Sequence, residues 1–185
     1  LAEAIKSDIA GIKNAARYHS ERYVLLRDDK VLSKEVAFAD SEIFDMFTLP
    51  LISGSLETFA DDKIALITEQ ASKVYFTDQN PVGEILSIVD DQGVSHGFLI
   101  AGVLEDQPQN SSLKFDIIIN FNNYYSLNEV ERNDWTRLIA ASFIQVDGAK
   151  SSRDIEQLMD DYVAVQNEAR PDWKVADYYL TPLAS

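Results

Sequence analysis

The stretch Ile64-Ala65-Leu66-Ile67-Thr68-Glu69 passes from an unbroken apolar run into a residue that suits the start of a helix. An apolar run of this length, without polar alternation, is typical of a strand that is buried on both faces. Thr68 is a natural helix N-cap, since its hydroxyl can accept a hydrogen bond from a backbone amide of the first turn. The helix that follows ends before Pro81 and Gly83, which do not continue a helix well. We therefore predict a buried strand that leads directly into a helix.

On either side of this unit, pairs of β-prone segments are separated by short polar turns. Such pairs predict β-hairpins, because Asp- and Gly-containing turns reverse the chain between two strands. The two hairpins join residues 23–27 to 31–38 through Asp28-Asp29-Lys30, and 85–89 to 98–103 through Asp90–Gly93.

The remaining segments add strands and helices in an irregular order. Phe115–Phe121 is the clearest strand, because its aromatic and isoleucine side chains alternate on one face. Apolar spacing of three and four residues predicts helices, which indicates an α+β protein with mixed or antiparallel sheets. We expect helices over Leu1–Tyr18, after a cap at Asp40, and after a capping box at Ser151 and Asp154, with further strands at Leu138–Val146 and Tyr178–Leu183.

The charge balance and the absence of cysteine exclude several classes of function. Sixteen basic and 31 acidic residues give a formal net charge of −15. Phosphate backbones and anionic lipid headgroups would be repelled by such a chain, so nucleic acid is a poor partner. Without cysteine there is no disulfide framework, no thiolate-ligated zinc site and no thiol nucleophile.

No apolar stretch approaches the roughly 20 residues that a membrane-spanning helix needs. The chain begins at Leu1 without an initiator methionine and without a signal-peptide pattern. Either an excised fragment of a larger protein or a processed secreted protein would have this appearance.

One pentapeptide matches a catalytic motif literally. Gly93–Gly97 has the G-x-S-x-G form that places a nucleophilic serine, here Ser95, on a strand-to-helix turn in hydrolases. A triad of Ser95 with His19 and an aspartate is open by sequence distance. The pentapeptide, however, follows a hairpin turn and enters a strand, so we interpret its glycines as turn residues. His96 adjoins Ser95, but neighbours along a strand point to opposite faces.

Other candidate sites have plainer interpretations. Two histidines are too few for a convincing metal site, and no phosphate-binding glycine loop occurs. We interpret the acidic doublets as solvated turns and faces, the sequon at Asn110 as a polar turn, and most of the aromatic residues as packing residues. The doublets are Asp28/Asp29, Asp61/Asp62 and Asp160/Asp161, and the aromatic residues are Trp173, Tyr178, Tyr179, Tyr124 and Tyr125.

Four segments in order, 43–54, 64–83, 102–116 and 179–183, resemble the periplasmic core domain of MacB/FtsX-like ABC transporter permeases. Two positions depart from that pattern: Thr77 stands where a glycine often follows the Tyr-Phe pair, and Glu84 replaces a usual lysine. The motif positions that carry the resemblance are Phe47, Pro50, Gly54, Thr68, Tyr75, Phe76, Pro81, Gly83, Gly102, Asp106, Pro108, Asn110, Phe115, Asp116 and Pro182.

The resemblance implies an extracytoplasmic domain with two lobes on the periplasmic side of the bacterial inner membrane. Residues 1–38 with 120–185 would form a porter-like βα lobe, and residues 39–119 a β-rich Sabre-like lobe. The expected partners are flanking membrane helices of the same polypeptide, a separate ATP-binding subunit or domain, a second permease copy and a periplasmic adaptor or lipoprotein. The resemblance implies movement coupled to ATP hydrolysis elsewhere (mechanotransmission), for export or for handling of lipoproteins or peptides, without catalytic, cofactor or metal residues here.

Two other functions stay open at this point. An independent extracytoplasmic ligand-binding or sensor domain would contain a sizeable pocket with converging polar groups. A serine esterase would bring Ser95 close to a histidine.

Overall fold

The computed structural model describes residues 1–77, 79–132, 134–148 and 151–183. Helices and strands follow each other irregularly, as expected for an α+β chain. In chain order the elements are α1 (Ala2–Asp8), β1 (Ile12–Arg27), β2 (Lys30–Ala39), α2 (Ile43–Met46), β3 (Leu51–Gly54), β4 (Ile64–Thr68), α3 (Glu69–Phe76), β5 (Ile85–Val89), β6 (Ser95–Leu104), β7 (Ile117–Asn120), α4 (Asn122–Leu127), β8 (Ala141–Val146) and α5 (Ser152–Ala169).

The chain divides into two compact units. The terminal unit contains Leu1–Ala16 and Glu131–Ser185, and the central unit contains Arg17–Val130. The division falls within β1, which contributes its first residues to one unit and the rest to the other. The grouping of residues 1–38 with 120–185 into a porter-like lobe, and of 39–119 into a Sabre-like lobe, stays a prediction.

In the central unit the strands form a ring that is closed by hydrogen bonding. The order is β2-β7-β4-β6-β5-β1, and β1 also pairs with β2, so each of these strands has a neighbour on both sides. The β2–β7 and β4–β6 pairs are parallel, whereas β1–β2, β1–β5, β4–β7 and β5–β6 are antiparallel. The expected α+β fold with a mixed sheet is confirmed.

Both predicted hairpins of the central unit are present. Asp28 turns the chain between β1 and β2 with a φ of 52°. Gly93 has a φ of 81° in the turn between β5 and β6, where a glycine carries little steric cost. The Asp90 carboxylate accepts hydrogen bonds from the amides of Gln92 (3.0 Å) and Val94 (2.8 Å), which fixes the turn.

Two neighbouring strands of the ring are buried along their whole length. Every residue of β4 and of β7 is buried. Their registers place Leu66 beside Ile118 and Ile67 beside Ile117, so each face of the pair is covered. The alternation seen in Phe115–Phe121 therefore does not mark a solvent face, because Ile118 and Asn120 are buried as well.

One strand of the ring region was not expected. Leu51–Gly54 pairs antiparallel with β6 as β3. Its residues are all exposed and show no alternation, so the pattern that predicts strands is missing. The short helix before it is present as α2. The expected cap at Asp40 is wrong, because Glu42 occupies the N-cap position without a side-chain hydrogen bond.

The terminal unit packs its helices around a small apolar cluster. Ile5, Ile9, Ile155 and Met159 form this cluster, and partly buried hydrophobic residues surround it. The predicted capping box is confirmed: Ser151 Oγ accepts from the Asp154 amide (3.2 Å), and the Asp154 carboxylate accepts from the Ser151 amide (3.0 Å). The strand β8 pairs with β1.

Two expected elements of the terminal unit are wrong. The helix expected over Leu1–Tyr18 stops at Asp8, and Gly11, with a φ of 102°, precedes the start of β1. Residues 178–183 are not a strand. The segment Val175–Leu180 instead runs beside α5, because Asn167 Oδ1 accepts from the Val175 amide (2.7 Å) and Glu156 Oε1 accepts from the Leu180 amide (2.7 Å).

Candidate functional site

The residues of the esterase hypothesis are placed on different parts of the ring. Ser95 is the first residue of β6 and is exposed. His96 Nε2 lies 2.7 Å from Asp90 Oδ2, and this hydrogen bond lowers the pKa of the Asp90 carboxyl. His19 lies on β1, with its Nε2 atom 2.9 Å from Glu21 Oε1.

The strand registers measure how far Ser95 is from His19. Ser95 pairs with Val89, and Val89 pairs with Val24, which is five residues from His19 along β1. With ~3.3 Å per residue and ~4.8 Å between strands, the two Cα atoms are about 19 Å apart. A serine–histidine pair needs hydrogen-bond contact, so the structure does not bring these residues together.

The acidic doublets lie on exposed turns and on an exposed helix face. All six carboxylate residues of these doublets are exposed. Among the residues that the structure describes, no three His, Cys, Asp or Glu side chains gather in a way that could hold a metal ion. Asn110 of the sequon also lies in an exposed turn.

Two of the motif positions, Thr68 and Asp106, instead fasten the N-terminus of α3. Thr68 Oγ1 accepts a hydrogen bond from the Ala71 amide (3.2 Å), as the sequence predicts. Asp106 Oδ1 accepts from the Gln70 amide (2.9 Å). The first-turn amides of a helix have no partners within the helix and carry a partial positive charge, so a hydroxyl and a carboxylate both stabilise this end.

Asp116 joins three neighbouring segments through its backbone and its side chain. Its carbonyl accepts from the Thr68 amide (2.9 Å), where β4 passes into α3. Its carboxylate accepts from the Glu35 amide (3.0 Å) and from Lys34 Nζ (3.2 Å) on β2. This motif position therefore ties β2 and β7 to the start of α3.

The C-terminal end of α3 is held by two cations that the sequence did not single out. Lys30 Nζ donates to the carbonyls of Val74 (2.8 Å) and Tyr75 (3.1 Å), and the guanidinium of Arg27 lies 3.7 Å from the centre of the Phe76 ring. A cation near the last carbonyls complements the helix dipole. Arg27 and Lys30 flank the β1–β2 turn. The only sequence feature that could have indicated this role is that a basic residue stands on each side of the acidic turn.

The two departures from the family pattern both lie at this end of α3. Thr77 follows the helix with a φ of 57° and a ψ of −110°, a conformation that strains a β-branched residue and suits glycine. Glu84 Oε2 lies 3.3 Å from Arg27 Nη2. A lysine at position 84 would face Arg27 with a like charge, so glutamate fits this particular chain.

Two motif glycines permit the backbones of the antiparallel pair β3 and β6 to approach closely. A Cβ atom on Gly54 would lie 2.1 Å from the Ala101 carbonyl oxygen and 2.5 Å from the Gly102 Cα atom. A Cβ atom on Gly102 would lie 2.9 Å from the Ser53 carbonyl oxygen. Neither position has room for a side chain, which gives a steric reason for glycine at both.

The other motif positions serve packing and turns. Tyr75 and Phe76 are buried on α3, and burial raises the pKa of the Tyr75 hydroxyl to about 12. Gly83 has a φ of 92° and donates its amide to the Ile100 carbonyl (2.9 Å). Of the remaining positions, Phe115 and Pro81 are buried, Phe47 is half-buried and Pro182 is exposed. The Pro50 carbonyl accepts a hydrogen bond from the Glu105 amide, and the Pro108 carbonyl accepts one from the Ser111 amide.

A buried ion pair is the largest polar feature that sequence reasoning missed. Arg17 is 7% exposed, and its guanidinium forms two hydrogen bonds with Asp40, from Nε to Oδ2 (2.9 Å) and from Nη2 to Oδ1 (2.7 Å). The same group lies 4.2 Å from the centre of the Phe121 ring. The two residues are far apart in sequence, so only the strand pairing reveals them as partners. This pair closes one end of the β1–β2 hairpin.

The aromatic residues divide into core residues and surface residues. Tyr124 is buried against Phe38 and Phe121, as expected for packing. Trp173 and Tyr179 are 48% and 75% exposed, so the packing interpretation does not hold for these two.

Among the shallow clefts on the surface of the described residues are three of 360 to 490 Å³. Two of them, of about 450 and 360 Å³, flank Arg27. The third, of about 490 Å³, lies in the terminal unit between the loop at Trp135 and the C-terminal part of α5.

The comparison with protein families gives one match, over residues 1–165, to the MacB-like periplasmic core domain. A search of curated protein sequences gives no match. Within the described residues, no helix is both long and apolar enough to cross a bilayer.

Several solved structures share the fold. A domain described as that of a permease protein from Porphyromonas gingivalis is 24% identical, with a TM-score of 0.67 over 91% of this chain and 68% of that one. The periplasmic region of MacB from Actinobacillus actinomycetemcomitans is 16% identical, with a TM-score of 0.68 over 87% and 72%. The extracellular domain of the noncanonic ABC-type transporter YknZ from Gram-positive bacteria is 14% identical, with a TM-score of 0.68 over 98% and 87%.

Proposed function

The chain belongs to the MacB-like periplasmic core domain family, and from this membership we propose that it relays mechanical work as the extracytoplasmic domain of an ABC transporter permease. The domain lies on the periplasmic side of the bacterial inner membrane, and membrane helices of the same polypeptide precede and follow it. ATP is hydrolysed by a separate cytoplasmic subunit or domain. The domain itself makes and breaks no covalent bonds, and its movement serves export or the handling of lipoproteins or peptides.

The observation that carries this proposal is what the motif residues do in the central unit. Thr68, Asp106 and Asp116 bind backbone amides, and Gly54 and Gly102 permit the close approach of two paired strands. Each of these residues fixes one piece of main chain to another. A domain that transmits displacement needs such stiffness, because force applied to a loosely packed body is lost in local deformation.

The placement of the remaining candidates supports a role without catalysis. Ser95 and His19 are about 19 Å apart by strand register, and the acidic doublets are exposed. The clefts are shallow, whereas a small-molecule site buries most of its ligand. A second permease copy and a periplasmic adaptor or lipoprotein are the partners that complete the proposal.

Hydrogen exchange in the complete transporter tests the proposal. The full-length permease is assembled with its ATP-binding partner in nanodiscs, and amide exchange is compared without nucleotide and with ATP and vanadate. We expect the trapped state to change exchange in peptides of this domain, because a domain that moves in response must change some of its hydrogen-bond protection.

The matched control is a permease assembled with a partner that binds ATP but does not hydrolyse it, treated with ATP and vanadate in the same way. Exchange in the domain should then differ from that of the hydrolysing complex. Identical exchange in all states, in a complex that hydrolyses ATP, would refute the coupling role.

A further inference from the structure

The cleft of about 490 Å³ in the terminal unit combines an apolar floor with an acidic rim. Its floor is formed by the half-buried ring of Trp135 and by Val165 and Ala169 on α5. Its rim carries the carboxylates of Glu131, Asp134 and Glu168. Val165, Glu168 and Ala169 are spaced by three and four residues, so they share one face of the helix.

The floor of this cleft is held in place by contacts with α5. The Trp135 carbonyl accepts a hydrogen bond from Gln166 Nε2 (2.8 Å), and Gln166 itself is buried. The indole ring stacks on Tyr162, with ring centres 6.2 Å apart and an angle of 11° between the planes. Tyr162 in turn donates its hydroxyl to Asp8 (2.7 Å). A preformed aromatic surface costs a ligand less ordering on binding.

Among the described residues, two of the three rim carboxylates have no ion-pair partner, and the third is partly compensated by Arg137. Within the described part of the chain, neither Glu131 nor Glu168 has an ion-pair or hydrogen-bond partner for its side chain. Asp134 accepts from the Thr136 amide (2.8 Å) and lies 3.9 Å from Arg137 Nε. The hydrogen bonds from Thr136 lower the pKa of the Asp134 carboxyl, so this group also carries its charge at neutral pH.

The guanidinium of Arg170, the residue directly after α5, is already paired beside the cleft. Arg170 Nη2 pairs with Asp172 (3.0 Å), and its Nη1 atom donates to the Thr136 carbonyl (3.2 Å). The cleft is therefore apolar beneath and negative at its edge.

We propose that this cleft docks a basic segment of a partner polypeptide. The aliphatic stem of a lysine or arginine would lie on Trp135 and Val165, and its charged head would reach the carboxylates of Glu131 and Glu168. Lys and Arg side chains combine these two properties, and a cation over an indole ring adds further attraction. Charge complementarity selects this occupant, since an acidic or purely apolar segment would leave the carboxylates desolvated and unpaired.

The proposal concerns the kind of partner and does not depend on the coupling role. Fluorescence of Trp135 tests it directly, because the chain has two tryptophans and Trp173→Phe leaves Trp135 as the only one. The W173F chain is titrated at low salt with acetyl-Lys-Lys-Leu-Lys-amide and, separately, with acetyl-Glu-Glu-Leu-Glu-amide. We expect a saturable change in emission with the basic peptide and none with the acidic one.

The charge contribution is isolated by two matched double variants. E131Q/E168Q removes two carboxylates from the rim, and D160N/D161N removes two exposed carboxylates from α5 that do not line the cleft. An exposed ion pair contributes roughly 0.2–1 kcal/mol, so the rim variant should weaken binding about fivefold and the control variant less than twofold.

Four outcomes would overturn the proposal. Equal weakening in both variants would mean that net charge alone attracts the peptide. Binding of the acidic peptide, or no saturable change with the basic one, would mean that the cleft does not select cations. Self-association of the chain that E131Q/E168Q abolishes would mean that a second copy fills the cleft.

Discussion

Replacing Gly54 by alanine tests the close approach of the paired strands β3 and β6. The new Cβ atom would lie 2.1 Å from the Ala101 carbonyl oxygen, whereas carbon–oxygen contacts in folded proteins are about 3.3 Å or longer. One of the two backbones must therefore move by roughly 1 Å. Gly54 also has a φ of 88°, which costs an alanine about 1–2 kcal/mol by itself.

The cost of the displacement adds to the cost of the conformation. Moving β3 by this distance lengthens its hydrogen bonds to β6, and each lost hydrogen bond costs about 1 kcal/mol. We expect Gly54→Ala to lower the free energy of unfolding by about 3–4 kcal/mol in total. For a chain of this size, that corresponds to a fall in the melting temperature of roughly 6–16 °C.

Gly83→Ala is the matched control. Gly83 has nearly the same φ, 92°, but nothing lies within 4 Å of the position where its Cβ atom would be. It should therefore show only the conformational cost, about 1–2 kcal/mol. Urea unfolding followed by circular dichroism measures both variants, and hydrogen exchange locates the loosened segment. If the free energies of unfolding of the two alanine variants differ by less than about 1 kcal/mol, the close approach of β3 and β6 does not constrain the fold as argued.

Three further predictions concern α3 and the β5–β6 turn. Thr77→Gly should raise the free energy of unfolding by about 1 kcal/mol, since it removes a β-branched residue from a positive φ; a lower melting temperature would contradict this. Lys30→Met should lower the free energy of unfolding by about 1–2 kcal/mol in urea unfolding, because the last carbonyls of α3 lose their donor. Lys73→Met, which removes an exposed ion pair with Glu69, should lower it by less than about 0.5 kcal/mol. The hydrogen bond from His96 holds the pKa of the Asp90 carboxyl below its ordinary value of 3.8 in the folded protein. The carboxylate therefore stabilises the fold above pH 3.8, and this stabilisation is lost as the pH falls through the lower pKa of the folded state. In Asp90→Asn, unfolding between pH 4 and pH 2 should depend less on pH than in the unchanged chain, and an equal dependence would show that the turn carboxylate is not linked to folding.

The elements predicted correctly are those whose signals are local. The β4–α3 unit, the hairpin turns at Asp28 and Gly93, and the capping box at Ser151 each depend on residues within a few positions of one another. Their geometry follows from turn chemistry and caps, which the sequence displays directly.

The elements predicted wrongly depend on distant partners. Residues 12–18 have the apolar spacing of a helix, but pairing with other strands supplies more burial than a helix face would, and Ala15, Ala16 and Tyr18 are all buried within β1. Residues 178–183 have the composition of a strand, but the Leu180 amide donates to Glu156 of α5 and the segment joins no sheet. Tertiary context overrides local propensity in both cases.

The candidate site shows the same division between local and distant signals. The sequence identified Thr68 as a cap and Asp106 and Asp116 as motif positions, but not what the two carboxylates bind. Lys30 and Arg27 reach α3 from a hairpin more than 40 residues away in sequence. Such contacts form only when the ring of strands is closed, so no local sequence pattern predicts them.

The positions that carry the family resemblance and the positions that line the acidic cleft are different residues. Gly54, Gly102, Thr68, Asp106 and Asp116 fix main chain to main chain, and none of them faces the cleft. Two chains that share these positions therefore share a fold and its stiffness, yet can present different side chains to a partner. A family match of this kind predicts how a domain holds its shape, whereas the identity of what it binds must be sought in residues outside the motif.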